Sequence, residues 1–332
     1  MVNEKTTCTL NTIENEKRVG GIGIFFTFAA SINVHISKNT NSEMKKSLLS
    51  VFLLIFCITG SYAQRLLVRG DDIGSSHGAN IGVIKSYTDG IQRSAELMIV
   101  TPWVPEAVKM LKENPGLDVG LHITLTSEWE NIKWRPLTHC PSLTDDYGYF
   151  LPFVFPNAAH PGMSMMERKE SIKLNEVEAE IRAQIELTKR MLPTITHLSG
   201  HMGWAMLSPE ISALADRLAA EYKLPFFDGN QEVGKKYGLS YMPVQFGISL
   251  NEREAKFIEA LDKLEKDKTY LYVEHPAAGG DEMKAFGHKG YENVSDDRQA
   301  VLEMFTNPVI KEIIKKKGIQ LVSYGDLIIS GK

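Results

Sequence analysis

From residue 66 to the C-terminal end, short apolar runs rich in β-branched and aromatic residues alternate with longer stretches of helical period. That alternation is the pattern of a parallel sheet whose strands are joined by crossover helices. The strand candidates are Leu66–Arg69, Ala95–Val100, Val119–Leu125, Ile195–Leu198, Pro225–Phe227, Val244–Ile248, Tyr270–Glu274 and Ile319–Ser323. Eight such runs fit an α/β fold of (β/α)-barrel type, TIM-barrel-like and open to irregularity, with the active site at the C-terminal ends of the strands.

The intervening helices carry their own signals. Ser208-Pro209-Glu210 reads as an N-cap followed by proline at the first helical position, after which Ile211, Leu214, Ala215, Leu218 and Tyr222 share one face. A longer helix is predicted from Ser171 to Leu192, with Val177, Ile181 and Ile185 at i,i+4 spacing and Pro193 as its stop. Further helices are predicted near Gly78–Thr88, Pro105–Glu113, Glu252–Lys266 and Pro308–Lys317. The stretch Lys133–Met166, rich in Pro, Gly and aromatic residues, breaks the alternation and reads as a long excursion over one end of the barrel. No fixed-period repeat or low-complexity linker is visible, so residues 64–332 are read as a single domain.

The segment before that domain reads as an address. Lys45 and Lys46 precede the apolar run Leu48–Ile58, and Ser61 and Ala63 supply small residues suited to cleavage after Ala63. The run is shorter than the ~20 residues that span a bilayer. Residues 44–63 are therefore expected to be a signal peptide, 1–43 a mis-assigned start or a disordered extension, and the mature chain periplasmic or secreted, without stable membrane insertion. Cys8 and Cys57 fall in the excluded part, so only Cys140 remains and no internal disulfide can form. A net charge of -4 with no basic block argues against a nucleic-acid partner. A homodimer is left open.

In a barrel of this kind, polar residues at the ends of apolar runs deserve the closest scrutiny. Four places qualify: Asp71-Asp72 after Leu66–Gly70, His122 within Val119–Thr126, His201 after Ile195–Gly200, and Glu274-His275-Pro276 after Tyr270–Val273. Each alone has an ordinary explanation as a cap, turn or core hydrogen-bonding group. Together they offer two imidazoles and a carboxylate for one divalent metal ion, with an open position for water or a substrate carbonyl, and leave another carboxylate and histidine for proton transfer. Those roles describe amide or ester hydrolysis. Two histidines and a carboxylate also describe the facial triad of mononuclear iron oxygenases, against which the spare acid and base and the α/β alternation argue. His197 reads as a buried hydrogen-bonded residue. Trp204 is read either as a sugar-stacking surface or as core, and His77 either as pocket lining or as surface.

The ordered motifs Val68-Arg69-Gly70-Asp71-Asp72-Ile73-Gly74, Gly120-Leu121-His122-Ile123-Thr124-Leu125-Thr126, Thr196-His197-Leu198-Ser199-Gly200-His201 and Glu274-His275-Pro276 resemble those of YdjC-like carbohydrate deacetylases. The resemblance runs to the tail, where Asp297-Arg298 opens a helix and Gly318–Leu327 resembles the family's closing strand. It implies metal-dependent removal of acetyl groups from N-acetylated sugars or oligosaccharides. It also implies Asp71 as general base, His275 as general acid, and Asp72, His122 and His201 as ligands of one divalent ion, with Zn2+ or Mg2+ the leading choices. The third motif departs from the usual Asp-Ser-His, so Ser199 stands where an aspartate would orient a metal ligand. That departure is the ground for two alternatives, a sugar-binding barrel with impaired catalysis and another metal-dependent amide or ester hydrolase.

Overall fold

The computed structural model describes residues 64–331 apart from 229, 230 and 245, so the segment read as a signal peptide and everything before it lie outside the described residues. The described residues fall within one compact unit. In chain order, β1 (Arg65–Ile73) leads to α1 (His77–Thr88), β2 (Ser94–Leu97) to α2 (Val104–Glu113), and β3 (Asp118–Ile123) through the long excursion to α3 (Leu174–Met191). Next, β4 (His197–Gly200) is followed by α4 (Pro209–Tyr222) and α5 (Gln231–Lys236), and β5 (Leu239–Tyr241) by α6 (Leu250–Asp262). Finally, β6 (Thr269–Glu274) leads to α7 (Val294–Thr306) and α8 (Pro308–Lys316), and β7 (Gln320–Val322) to α9 (Tyr324–Ser330).

The sheet is parallel, in the order β4-β3-β2-β1-β6-β5, with β7 also on β1. β1 is the hub: Arg65–Leu67 pair with β7, Arg69–Ile73 with β2, and Arg65–Gly70 with β6. Its Leu66, Leu67 and Val68 are wholly buried, as expected of a parallel strand covered on both faces.

The barrel is not closed, which corrects the eight-strand expectation. Pro225–Phe227 reaches β4 through a single bridge, with Leu198 N donating to Pro225 O (2.8 Å) and Phe227 N to Leu198 O (3.0 Å). Beyond it the Tyr241 hydroxyl donates to Phe227 O at 3.4 Å, and among the described residues no ladder joins Phe227 to β5. The predicted strand Val244–Ile248 is a loop. Pro243 lacks a ladder donor, Gly247 is left-handed (φ 68), and its N–H is taken by Asp297 Oδ1 at 2.9 Å, so the ordering groups there are side chains rather than a neighbouring strand. The edge position goes to Leu239–Tyr241, a short run that carries little apolar signal.

The helices follow the sequence pattern closely. Ser208 accepts the Ile211 N–H as N-cap of α4, and Ile211, Leu214, Ala215 and Leu218 are buried. In α3, Val177, Ile181 and Ile185 are buried, and the helix starts at Leu174 rather than Ser171. One assignment at the tail changes: Asp297-Arg298 lie inside α7, which opens at Val294. The strand predicted at Ile319–Ser323 forms as Gln320–Val322, after which Ser323 and Asp326 form a capping box that starts α9.

The long excursion packs as part of the core. Trp134, Leu143, Phe150, Phe153 and Val154 are buried. Buried Glu180 of α3 accepts from Leu137 N (3.0 Å), Thr138 N (2.9 Å) and Thr138 Oγ1 (2.6 Å), tying the segment down. Cys140 is free and buried there, and burial pushes its thiol up to about 12.

Candidate metal centre and active site

β1 brings two adjacent carboxylates into one site, although successive strand side chains ordinarily point to opposite faces. The β1–β2 register shifts between Gly70 and Ile73, and Asp72 sits in the left-handed region at φ 70. A bulge of this kind re-aims a side chain at the cost of local strain. Ser75 holds the turn, its N–H and hydroxyl both donating to Asp72 O at 3.2 and 2.7 Å.

Around this bulge gather the expected residues. His122 is on β3, and His201 begins the turn after β4, where Met202 and Gly203 have φ of 56 and 70. One ligand atom from each of Asp72, His122 and His201 lies within 4.8 Å of the others, and all three residues are buried. Asp72 Oδ1 is 3.4 Å from His201 Nδ1 and 3.7 Å from His122 Nε2. That oxygen is buried and has no hydrogen-bond partner, whereas Asp72 Oδ2 accepts from Arg298 Nη2 at 2.8 Å. A buried orphan oxygen facing two imidazole nitrogens fits a divalent ion, so these three residues could hold one.

Both imidazoles are oriented from behind. His201 Nε2 is 3.1 Å from Glu128 Oε2, leaving Nδ1 toward Asp72. His122 Nδ1 is 2.8 Å from Ser199 Oγ, which in turn donates to Glu96 Oε2, leaving Nε2 toward the carboxylates. Ser199 thus occupies the aspartate's place with a hydrogen bond of its own, and the expected loss of an orienting partner does not occur.

Asp71 lies beside the ligand set, with Oδ2 3.6 Å from His122 Nε2. Arg69 grips it with two bonds, Nε to Oδ1 at 2.6 Å and Nη2 to Oδ2 at 2.8 Å. Burial works against its charge, but Arg69 and then His122 outweigh burial and hold its pKa below the usual carboxylate range. Asp72 lies lower still, where burial is overcome chiefly by Arg298. In His201 burial disfavours the cation, yet Glu128 and Asp72 prevail and push the imidazole up to about 10. The site favours a positive charge at that position. His275 goes the other way: burial lowers it to about 4 despite Asp72, so the unliganded imidazole is neutral, with Nδ1 buried and unpartnered.

These groups open on a cavity of about 720 Å³ lined also by Glu128, Trp129, Met202, Phe246, His288 and Tyr291. Trp129 stacks on His288 at 5.8 Å and 20°, with the Arg298 guanidinium 5.3 Å from the indole. Trp204 settles as core, wholly buried with Nε1 donating to Ile123 O at 2.9 Å, and His77 as surface, paired with Glu106 at 3.0 Å. His197 is buried and hydrogen-bonded to Glu96 at 2.6 Å, as expected.

Beneath the cavity, Arg253 donates to both Glu274 and Asp297, while Asp297 also accepts from Tyr291 OH (2.5 Å) and Gly247 N. Breaking a buried ion pair leaves an uncompensated charge and typically costs 3–5 kcal/mol. Arg253→Met is therefore expected to lower unfolding free energy by about 3–5 kcal/mol in a urea titration.

An open parallel α/β barrel with an Asp-His-His cluster, a second carboxylate and a spare histidine at the C-terminal strand ends defines the class. Within it, the chain belongs to the YdjC-like protein family, whose model matches residues 65–316. A carbohydrate deacetylase of Vibrio parahaemolyticus is 25% identical over 273 residues, 80% of this chain and 97% of that protein. Another from Geobacillus stearothermophilus is 27% identical over 262 residues, 78% and 96% of the two chains. A solved structure from Enterococcus faecalis V583, described provisionally as a cellobiose-phosphate cleavage protein, shares the fold. It matches with a TM-score of 0.63 and 22% identity, over 80% of this chain and 99% of that one.

Proposed function

We propose that this protein is a metal-dependent hydrolase that removes acetyl groups from N-acetylated sugars or oligosaccharides. The observation that carries the reading is the orphan Asp72 Oδ1 facing His122 and His201 at the floor of a cavity that also holds Asp71 and His275. Names of relatives spanning almost their whole length with this chain supply the substrate class.

Asp72, His122 and His201 would hold the divalent ion, Zn2+ or Mg2+ first among the choices. When bound, that ion polarises an acetamide carbonyl and acidifies water. Asp71, kept ionised by Arg69, is assigned the proton of the attacking water. Fixing it with two bonds costs basicity but secures its direction. His275 is assigned the leaving nitrogen; being neutral at the start, it would receive the proton that Asp71 takes from water and pass it to that nitrogen as the C–N bond breaks, which returns both groups to their starting states. Trp129 and Phe246 offer apolar faces to a sugar ring.

Acetate release from a panel of N-acetylated sugars and oligosaccharides tests the reading. Turnover that disappears with EDTA and returns on adding Zn2+, Mg2+, Mn2+, Co2+ or Ni2+ is the expected result. A folded, metal-loaded protein that releases no acetate from any of them overturns it. The export reading over 44–63 is likewise a proposal, supported by Lys45-Lys46, the short apolar run and Ala63. Its check is the mature N-terminus, expected at Gln64.

A further inference from the structure

We propose that Glu96, acting through Ser199, is the positioning carboxylate for His122, replacing from β2, across β3, the carboxylate that β4 lacks. The inference rests on the metal reading above and concerns residues outside the ligand set.

Three neighbouring strands bring the group together by register. Glu96 of β2 pairs with Gly120 of β3, and Gly120 with His197 of β4, so the three form one cross-strand row. One step along, His122 pairs with Ser199. Parallel partners share a face, and residues two apart share it too, so both rows point the same way. The middle member of the first row is glycine. A Cβ at position 120 would overlap both Glu96 Oε2 and His197 Nε2, so only its absence lets those side chains meet across β3.

The resulting chain is complete and dry. Glu96 and Ser199 are wholly buried. Glu96 Oε1 takes the His197 bond at 2.6 Å, and Oε2 accepts a hydrogen bond from the Ser199 hydroxyl. With its proton committed to Glu96, Ser199 Oγ can only accept from His122, which places the hydrogen on Nδ1 and leaves the Nε2 lone pair directed at the Asp72 oxygen. A serine alone would leave that direction unspecified, because its hydroxyl can rotate to donate to Nδ1 and select the opposite tautomer. The carboxylate removes that choice. His197 is the counterpart: Nε2 faces Glu96, while Nδ1 is 2.8 Å from Thr196 Oγ1, whose hydroxyl bonds Asp118 at 2.6 Å. Groups that orient a ligand from behind commonly control metal affinity by 10–100-fold.

The test is the Zn2+ dissociation constant by competition with a chromophoric chelator, together with the melting temperature of the metal-free protein. Ser199→Ala and Glu96→Gln are each expected to weaken Zn2+ binding about 10–100-fold. Ser199→Asp alone sets two carboxylates together and is expected to weaken it as well. Combining Ser199→Asp with Glu96→Ser returns the carboxylate to β4 and is expected to move affinity back toward the native value. A purely structural role would lower the melting temperature while leaving the dissociation constant unchanged, and that result overturns the proposal. So does a Glu96→Gln variant that binds Zn2+ as tightly as the native protein. If the native protein itself binds no divalent ion, the metal reading fails first and takes this inference with it.

Discussion

Changing His201 to alanine is expected to abolish tight divalent-metal binding and to lower kcat/KM for acetate release by at least ~10³-fold, the equivalent of several kcal/mol of lost charge stabilisation. The magnitude follows from its position. His201 Nδ1 lies 3.4 Å from the orphan Asp72 oxygen, and its other nitrogen is held by Glu128. Alanine removes one of the three proposed ligands and strands Glu128, a buried carboxylate. The metal-free variant is therefore also expected to melt lower than the native protein, so circular dichroism must accompany the metal titration. Retained metal affinity in a folded His201→Ala protein would remove the Asp72, His122, His201 assignment. The same change should leave binding of a non-hydrolysable sugar in the cavity only weakly affected, since Trp129, Phe246 and Tyr291 line it independently.

Much of this site was legible because the fold turns sequence order into position. In a parallel α/β sheet every strand delivers its C-terminal end to the same rim. Asp71-Asp72, His122, His201 and His275 could accordingly be brought together from their places in or after apolar runs, without knowledge of strand order. The groups behind them were harder to read. Glu96 sits within an apolar run, Ala95–Val100, and its meaning depends on the glycine opposite in β3 and on His197 beyond it. That relation exists only once register is known. A carboxylate inside a buried strand was nonetheless a signal, since such a group must find partners. Glu128 had a weaker one, lying just past the His122 motif in a segment with no periodicity. The irregular α/β barrel was legible, whereas the count of eight strands was too high. Val244–Ile248 has strand-like composition, but Gly247 there is left-handed and its N–H goes to the Asp297 carboxylate rather than to a neighbouring strand.

The adjacent aspartates should separate cleanly by mutation, because the bulge gives them different neighbours. Asp71→Asn is expected to retain divalent-metal affinity while lowering kcat by about 10²–10⁴-fold, the contribution usual for a positioned general base. Asp72→Asn should lose both, since its orphan oxygen belongs to the proposed ligand cluster. In the Asp71 variant, Arg69 still reaches Asp228 at 3.0 Å and Tyr324 at 3.2 Å, so its charge keeps partners and the fold should survive. The asparagine can accept from Arg69 through its carbonyl but opposes the guanidinium with its amide, so a modest loss of stability is expected as well. Isothermal titration with metal and steady-state acetate release distinguish the outcomes. If Asp71→Asn loses metal as fully as Asp72→Asn, Asp71 is itself a ligand, a role its 3.6 Å approach to His122 permits. If instead it keeps both metal and kcat, the proton goes elsewhere. Glu128 then becomes the candidate, as the other buried carboxylate at the cavity wall not committed to an arginine.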